Sequence, residues 1–287
     1  MTDRVLVLGA SGFLGSAILS ALGPDGVGTS RRADATFLQL NPDMTEELGD
    51  AIRRLGISVL VNAAGLRAGS DEQLEASNVT LTASVLEVAA SHQVRLVHLG
   101  SAAEYGSLPG VVFESDTVTP LTPYGRSKLS ATKLIMAAAQ AGVDCVSARV
   151  FNVIGPGLPT DQPVGQFAAA LQDARGSATI TVRNAATCRD FVRRSFVASS
   201  VRQMCFTPGG LPPLVNLCSG RGVTFGSLVS AMAHQRGVEV AINDLHEPLA
   251  VPRVIGSTEL FERRFAIPPG DANSLATLAS EAFSDPA

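Results

Sequence analysis

Val5-Leu-Val-Leu-Gly9-Ala-Ser-Gly12-Phe-Leu-Gly15 sets a continuous apolar run against three glycines spaced three apart. The run suits a strand buried on both faces. Gly9 permits a tight turn, Gly12 lets backbone approach a pyrophosphate, and Gly15 lets the next helix pack on the strand. The start of that helix offers free N–H groups and the positive end of its dipole to phosphate. The spacing is one residue wider in its first gap than the common GxGxxG. Opening a strand–turn–helix unit, the stretch predicts dinucleotide binding, with Ser11, Phe13 and Leu14 in the same turn.

Outward from this turn, strand-like and helix-like segments alternate. Phe13–Leu22 reads as a helix closed by Gly23 and Pro24. Val27–Ser30 and Thr36–Leu40 are short strand candidates, and Thr45–Leu55 is a helix capped by Thr45 or Asp43. Val59–Asn62, Arg95–Leu99 and Val143–Val150 read as strands; Asp71–Ser91 and Pro123–Ala141 read as long helices. Such alternation predicts an α/β fold, a doubly wound parallel sheet of Rossmann type, with a smaller C-terminal substrate-binding region. Residues 1–157 are assigned to dinucleotide binding. Residues 158–287 are assigned mainly to substrate binding, with some segments returning to the Rossmann core. Strands are expected at Thr179–Arg183, Leu214–Leu217 and Val238–Ile242, and helices at Val164–Ala174 and Thr224–Gln235. The tail from Gly270 is small and polar, and its end is expected to fray.

Bulk properties narrow the partners. The 287 residues carry a net charge of −4, which gives no basic field for a nucleic-acid backbone. No stretch approaches the ~18 apolar residues needed to cross a bilayer. Four cysteines and four histidines lie at spacings that match no metal site and no redox pair. A cytoplasmic chain without a resident metal is the expectation.

Two further segments carry chemistry. Ser30, Arg31 and Arg32 end the second predicted strand. An NAD site usually puts a carboxylate here, whereas an arginine suits the 2′-phosphate of NADP through charge-assisted hydrogen bonds. NADP(H) is therefore the expected cofactor. Tyr124-Gly-Arg-Ser-Lys128 places a phenol and an ammonium four residues apart on one helix face. A nearby cation favours phenolate and eases proton transfer at neutral pH. Ser101 follows a predicted strand about one crossover earlier; alone it reads equally as a helix cap.

With the glycine turn, Ser101 and YxxxK in order, the chain resembles the extended short-chain dehydrogenase/reductases, the NAD-dependent epimerase/dehydratase family. The resemblance runs over roughly residues 4–230 and includes Asn62-Ala63-Ala64-Gly65 and Asn78. It implies that these last three residues of the first segment, with Asn78, line the cofactor. It implies that Asn41 lies near the adenine, where relatives often have aspartate, and that Tyr124 and Lys128 also border the cofactor, with Lys128 holding the nicotinamide ribose. Ser101, Tyr124 and Lys128 are the implied catalytic residues.

Arg149-Val-Phe-Asn152-Val-Ile-Gly-Pro156 and Arg189-Asp-Phe-Val192 resemble family segments in which the asparagine and arginine contact substrate. Here Arg193, Arg194 and Ser195 replace the usual His-Val-Asp. These arginines suit either an anionic ligand or a solvated face. The two residues after Ser101 separate family members. Dehydratases and decarboxylases of nucleotide sugars place acid–base residues there, but this chain has Ala102 and Ala103. Glu104 is expected to face away as a structural residue. What remains needs only Ser, Tyr, Lys and a hydride. The expectation is an NADPH-dependent ketoreductase acting on a nucleotide-linked 4-keto-6-deoxy sugar. A 4-epimerase, a reductase of a non-nucleotide carbonyl and an NADP(H)-sensing regulator are the alternatives. The resemblance further implies a homodimer paired through the two long helices.

Overall fold

The computed structural model describes residues 3–30, 38–39, 45–248, 253–265 and 274–284. Seven parallel strands build the main sheet: β1 Arg4–Leu8, β2 Gly26–Ser30, β3 Leu38–Gln39, β4 Ile57–Asn62, β5 Arg95–Ser101, β7 Cys145–Val150 and β11 Leu214–Leu217. Their order is β11-β7-β5-β4-β1-β2-β3. The order reverses at β1, so the crevice beyond the carboxyl ends of β1 and β4 is the natural ligand position. All six residues of β7 and all four of β11 are buried, as expected for strands covered on both faces.

Helices α1 Phe13–Leu22, α2 Thr45–Leu55, α4 Leu81–His92, α5 Pro123–Gln140 and α7 Arg194–Phe206 flank this sheet, with the short α3 Asp71–Leu74 ahead of α4. One apolar cluster joins Val5, Val7 and Ile18 to Val197, Val201 and Met204, so α1 and α7 cover the same face. The other face is closed by Leu48, Ile52, Val85, Val88 and Ile135. The long helix expected over Asp71–Ser91 is interrupted. Glu75–Thr80 forms a π-helical turn between α3 and α4. Its buried Asn78 explains the break: Nδ2 donates to the Leu66 carbonyl at 2.8 Å and to Ser127 Oγ at 2.9 Å, and Oδ1 accepts from Leu66 N–H at 2.9 Å. These contacts draw the backbone out of α geometry at one point.

A second sheet contains β6 Gly110–Val112, β8 Asn152–Ile154, β10 Cys188–Arg193, β12 Gly222–Thr224 and β14 Arg253–Gly256. The parallel pair β9 Ser177–Val182 and β13 Glu239–Asp244 lies apart. Helices α6 Pro163–Asp173, α8 Phe225–Arg236 and α10 Leu275–Glu281 enclose their own core of Phe167, Leu171, Phe191, Val229 and Leu278. The C-terminal segment is thus not simply a small polar tail. Ser274 caps α10 through Thr277 N–H, and Leu278 and Ala279 are buried. Helix α9, Glu259–Phe265, packs Phe261 and Phe265 against the α1–α7 cluster. None of the described helices is long and apolar enough to cross a membrane.

Candidate active site

Gly9 and Gly15 have no room for side chains. Gly9 has φ +75°, and a Cβ there would sit 2.8 Å from the Ala64 backbone. A Cβ on Gly15 would sit 2.1 Å from the Gly9 carbonyl oxygen. No side chain caps the start of α1 at Gly12, so the first N–H groups of that helix stay available. Phe13 and Leu14 line a cavity of about 700 Å³, while Ser11 is exposed at the turn. Ala63, Ala64 and Gly65 run beside the turn, and Asn78 pins the chain just beyond them. These residues fit a dinucleotide: a close backbone cradle meets an uncapped helix start. Gly15→Ala is expected to abolish dinucleotide binding, because the displaced group would be backbone. Titration of the folded variant with NADPH checks this. Arg31, Arg32 and Asn41, with the Ser30 side chain, lie outside the described residues.

Ser101 ends β5 and opens a 3₁₀ turn over Ala102–Tyr105. Its Oγ accepts from Ala103 N–H at 3.2 Å, so the cap reading holds for its local geometry. Ser101 and Tyr124 both line the cavity. Tyr124 stands in the first turn of α5. Thr122 caps that helix by accepting from Gly125 N–H at 3.0 Å, and Pro123 opens it. Burial pushes the Tyr124 phenol above its ordinary range; the nearby Ser101 hydroxyl opposes that shift, the Glu104 charge adds to it, and Arg67 opposes it.

Lys128 shares the α5 face but meets an unforeseen partner. It is buried, and Nζ lies 3.4 Å from His98 Nε2. His98 Nδ1 lies 3.3 Å from Asn62 Nδ2, which also donates to Thr82 Oγ1 at 3.2 Å. Burial brings Lys128 down to about 8, against a smaller upward pull from Glu104. His98 falls well below its usual range, through burial and then the Lys128 charge. In the sequence, His98 stands out only as one imidazole inside an apolar strand.

Glu104 faces inward, for a reason other than strand alternation, since it belongs to the 3₁₀ turn. Its Oε1 accepts from Ser101 N–H at 2.8 Å and Thr132 Oγ1 at 3.0 Å. Its Oε2 pairs with Arg149 Nε at 2.7 Å. The Arg149 guanidinium in turn stacks 4.6 Å from the centre of the Tyr105 ring.

Asn152 and Arg189 both line the cavity. The Asn152 amide donates to the Asp190 carbonyl at 2.8 Å, and Arg189 Nη1 to the Cys188 carbonyl at 2.8 Å. Asp190 itself is fully buried, accepting from Ser219 and from the Gly220 and Gly256 N–H groups. Arg67, absent from the sequence-based set, borders the cavity and pairs with Asp161. The arginines after Val192 are not a solvated face. Arg193 and Ser195 meet Glu281, while Arg194 reaches α1.

The arrangement can polarise and protonate a carbonyl oxygen at Ser101 and Tyr124, beside an uncapped helix start. The two positions that could add a second acid–base pair are Ala102 and Ala103, both on the cavity wall.

Comparison with known proteins places the chain in a family. The profile of the NAD dependent epimerase/dehydratase family matches residues 5–198. The chain is 33% identical over 264 residues to dTDP-6-deoxy-L-talose 4-dehydrogenase (NAD(P)(+)) of Kitasatospora kifunensis, covering 85% of this chain and 83% of that protein. Its fold matches MoeE5 in complex with UDP-glucuronic acid and NAD, at TM-score 0.82 and 24% identity, over 97% of both chains. It also matches RMD from Pseudomonas aeruginosa complexed with NADPH, at TM-score 0.81 and 20% identity, over 98% of this chain and 97% of that one.

Proposed function

The chain belongs to the NAD dependent epimerase/dehydratase family, and from that premise we propose that it is an NADPH-dependent ketoreductase of a nucleotide-linked 4-keto-6-deoxy sugar. The observation that carries this reading is that Ser101 and Tyr124 share one cavity wall with Ala102 and Ala103. One proton donor and one oxyanion partner suffice for carbonyl reduction. Alanine can neither add nor remove a proton, so water loss lacks its acid and base. The relative from Kitasatospora kifunensis supports the substrate class. Its name describes oxidation at carbon 4 of a dTDP-linked 6-deoxy sugar, which is the reverse of 4-keto reduction.

In this reading the Ser101 hydroxyl hydrogen-bonds the substrate carbonyl oxygen, and Tyr124 donates its proton to that oxygen. Burial keeps the phenol protonated until the oxygen takes the proton. The bound cofactor supplies the hydride. Gly9, Ser11, Gly12, Phe13, Leu14 and Gly15 hold its pyrophosphate. Ser30, Arg31, Arg32 and Asn41 hold the adenosine end, with the arginines selecting NADP. Ala63, Ala64, Gly65 and Asn78 line its remaining length, and Lys128 holds the ribose. Asn152 and Arg189 contact the sugar or its diphosphate. Residues 1–157 then serve mainly the cofactor and 158–287 mainly the substrate, in a cytoplasmic homodimer whose mass in solution can be measured.

If the charged form of Lys128 is the working one, its depressed value has a visible consequence. The group is protonated below about pH 8 and loses its charge above. The kcat/KM for reduction, which reports the free enzyme, is expected to fall as pH rises through that value. A profile flat to pH 10 contradicts the requirement.

The deciding experiment is an NADPH-oxidation assay against dTDP- and UDP-linked 4-keto-6-deoxy sugars. Net NADPH consumption with one of them is expected. Cofactor retained through purification, with substrate interconverted and no net NADPH loss, would instead mark an epimerase. Consumption with a ketone lacking a nucleotide, uninhibited by nucleoside diphosphate, would remove the nucleotide from the substrate.

A further inference from the structure

Arg194 opens α7, far from the glycine turn in sequence, yet its guanidinium is spread over that turn. Nε donates to the Phe13 carbonyl at 2.6 Å, and Nη2 donates to Ser16 Oγ at 2.6 Å. Nη1 donates to the Pro156 carbonyl at 3.0 Å. The cation also lies 5.0 Å from the centre of the Phe13 ring. Space for it is built in. A Cβ on Gly155 would come within 2.4 Å of the Arg194 Cβ.

All three acceptors are uncharged, although burial acts against the charge and Glu281 supports it only through its field. A half-buried guanidinium commonly pairs with a carboxylate. Here it is held by neutral oxygens around the first turn of an uncapped helix. Its positive charge therefore adds to the helix dipole at the end where an anion would sit. The planar fork fixes three separate backbone segments at once: the turn after β1, the start of α7 and the Gly155–Pro156 bend that follows Asn152.

We propose that Arg194 is a positioning residue for the dinucleotide. It locks the pyrophosphate turn against the substrate-side bend and supplies positive potential there without touching the reacting atoms. The proposal rests on the reading of the glycine turn as a dinucleotide site. It explains why an arginine fits at a position the family resemblance does not lead one to expect.

The test compares wild type, Arg194→Met and Arg194→Lys by NADPH fluorescence titration and steady-state kinetics. Arg194→Met is expected to raise the Kd and KM for NADPH about tenfold or more and to leave kcat within about threefold, because uniform binding and not the chemical step is lost. Arg194→Lys is expected to regain part of the affinity, since the charge returns without the fork. A folded Arg194→Met with wild-type Kd, or with lowered kcat and unchanged KM, overturns the proposal. Should Arg194→Met fail to fold, Arg194→Lys decides, and a wild-type Kd in that variant overturns it. Wild type that binds no NADPH would overturn the dinucleotide reading itself. Wild-type binding alongside an unchanged Arg194→Met removes only the role of Arg194.

Discussion

Replacing Tyr124 with phenylalanine is expected to lower kcat for carbonyl reduction by about 10²–10⁴-fold, the usual worth of a positioned proton donor. The substitution removes one oxygen from a ring that stands in the first turn of a capped helix. The backbone and the ring's apolar contacts stay, so the fold should be unchanged. Tyr124 borders the cavity together with Ser101. In the proposed reaction, loss of the phenol oxygen takes away both the proton and one side of the carbonyl oxygen's binding place. NADPH affinity should move by no more than about twofold, because this interaction is made mainly in the transition state. Single-turnover and steady-state NADPH oxidation, run beside a fluorescence titration, separate the two effects. Full activity in the variant would remove the assigned donor.

Glu104→Ala is expected to cost about 3–5 kcal/mol of stability, the range for removing one partner from a buried ion pair. Side chains on both sides of the Glu104–Arg149 pair are essentially inaccessible, at 0% and 3% exposure. Alanine would leave the Arg149 cation in the interior with an aromatic ring and no carboxylate. It would also free the Ser101 N–H and the Thr132 hydroxyl from their shared acceptor. A domain with ordinary total stability cannot absorb much of this. The fall in Tm should be on the order of 10 °C, measurable by calorimetry. Glu104→Gln should recover part of it, since an amide oxygen can still accept from Ser101 N–H while Arg149 remains uncompensated. A Tm within about 1 °C of wild type for Glu104→Ala would mean that the pair contributes nothing net.

The parts of this molecule that were legible in the sequence are those governed by short-range rules. The apolar run through Leu8 and the glycines after it predict β1 and α1, and α1 covers the predicted span Phe13–Leu22. Pro123 and the spacing of Tyr124 and Lys128 predict α5, found over Pro123–Gln140. The missing pieces depend on partners far away in the chain. Helix α7 has Phe196, Val197, Val201 and Met204 at helical spacing, but Ser199, Ser200 and several arginines obscure the stripe. The short strands β10 and β14 owe their pairing to each other and to β6, β8 and β12. The same limit applies within the site. Four-residue spacing fixes where Lys128 leaves the helix, but its long flexible stem lets the ammonium travel to His98. The π-helical turn at Asn78 exists because Leu66 and Ser127 meet that side chain, which no local pattern records.

The last strand of the main sheet is made late. β11 pairs with β7 from Leu214↔Ser147 to Leu217↔Val150, so the outer edge of β7 stays open until the ribosome has added more than sixty further residues. At about 5–20 residues per second, a nascent chain spends several seconds with that apolar, hydrogen-bond-hungry border uncovered. Fragments cut after residue 157 would carry the same border permanently, which favours edge-to-edge association and poor yield. Any attempt to produce residues 1–157 alone should therefore bring residues 194–217 with them.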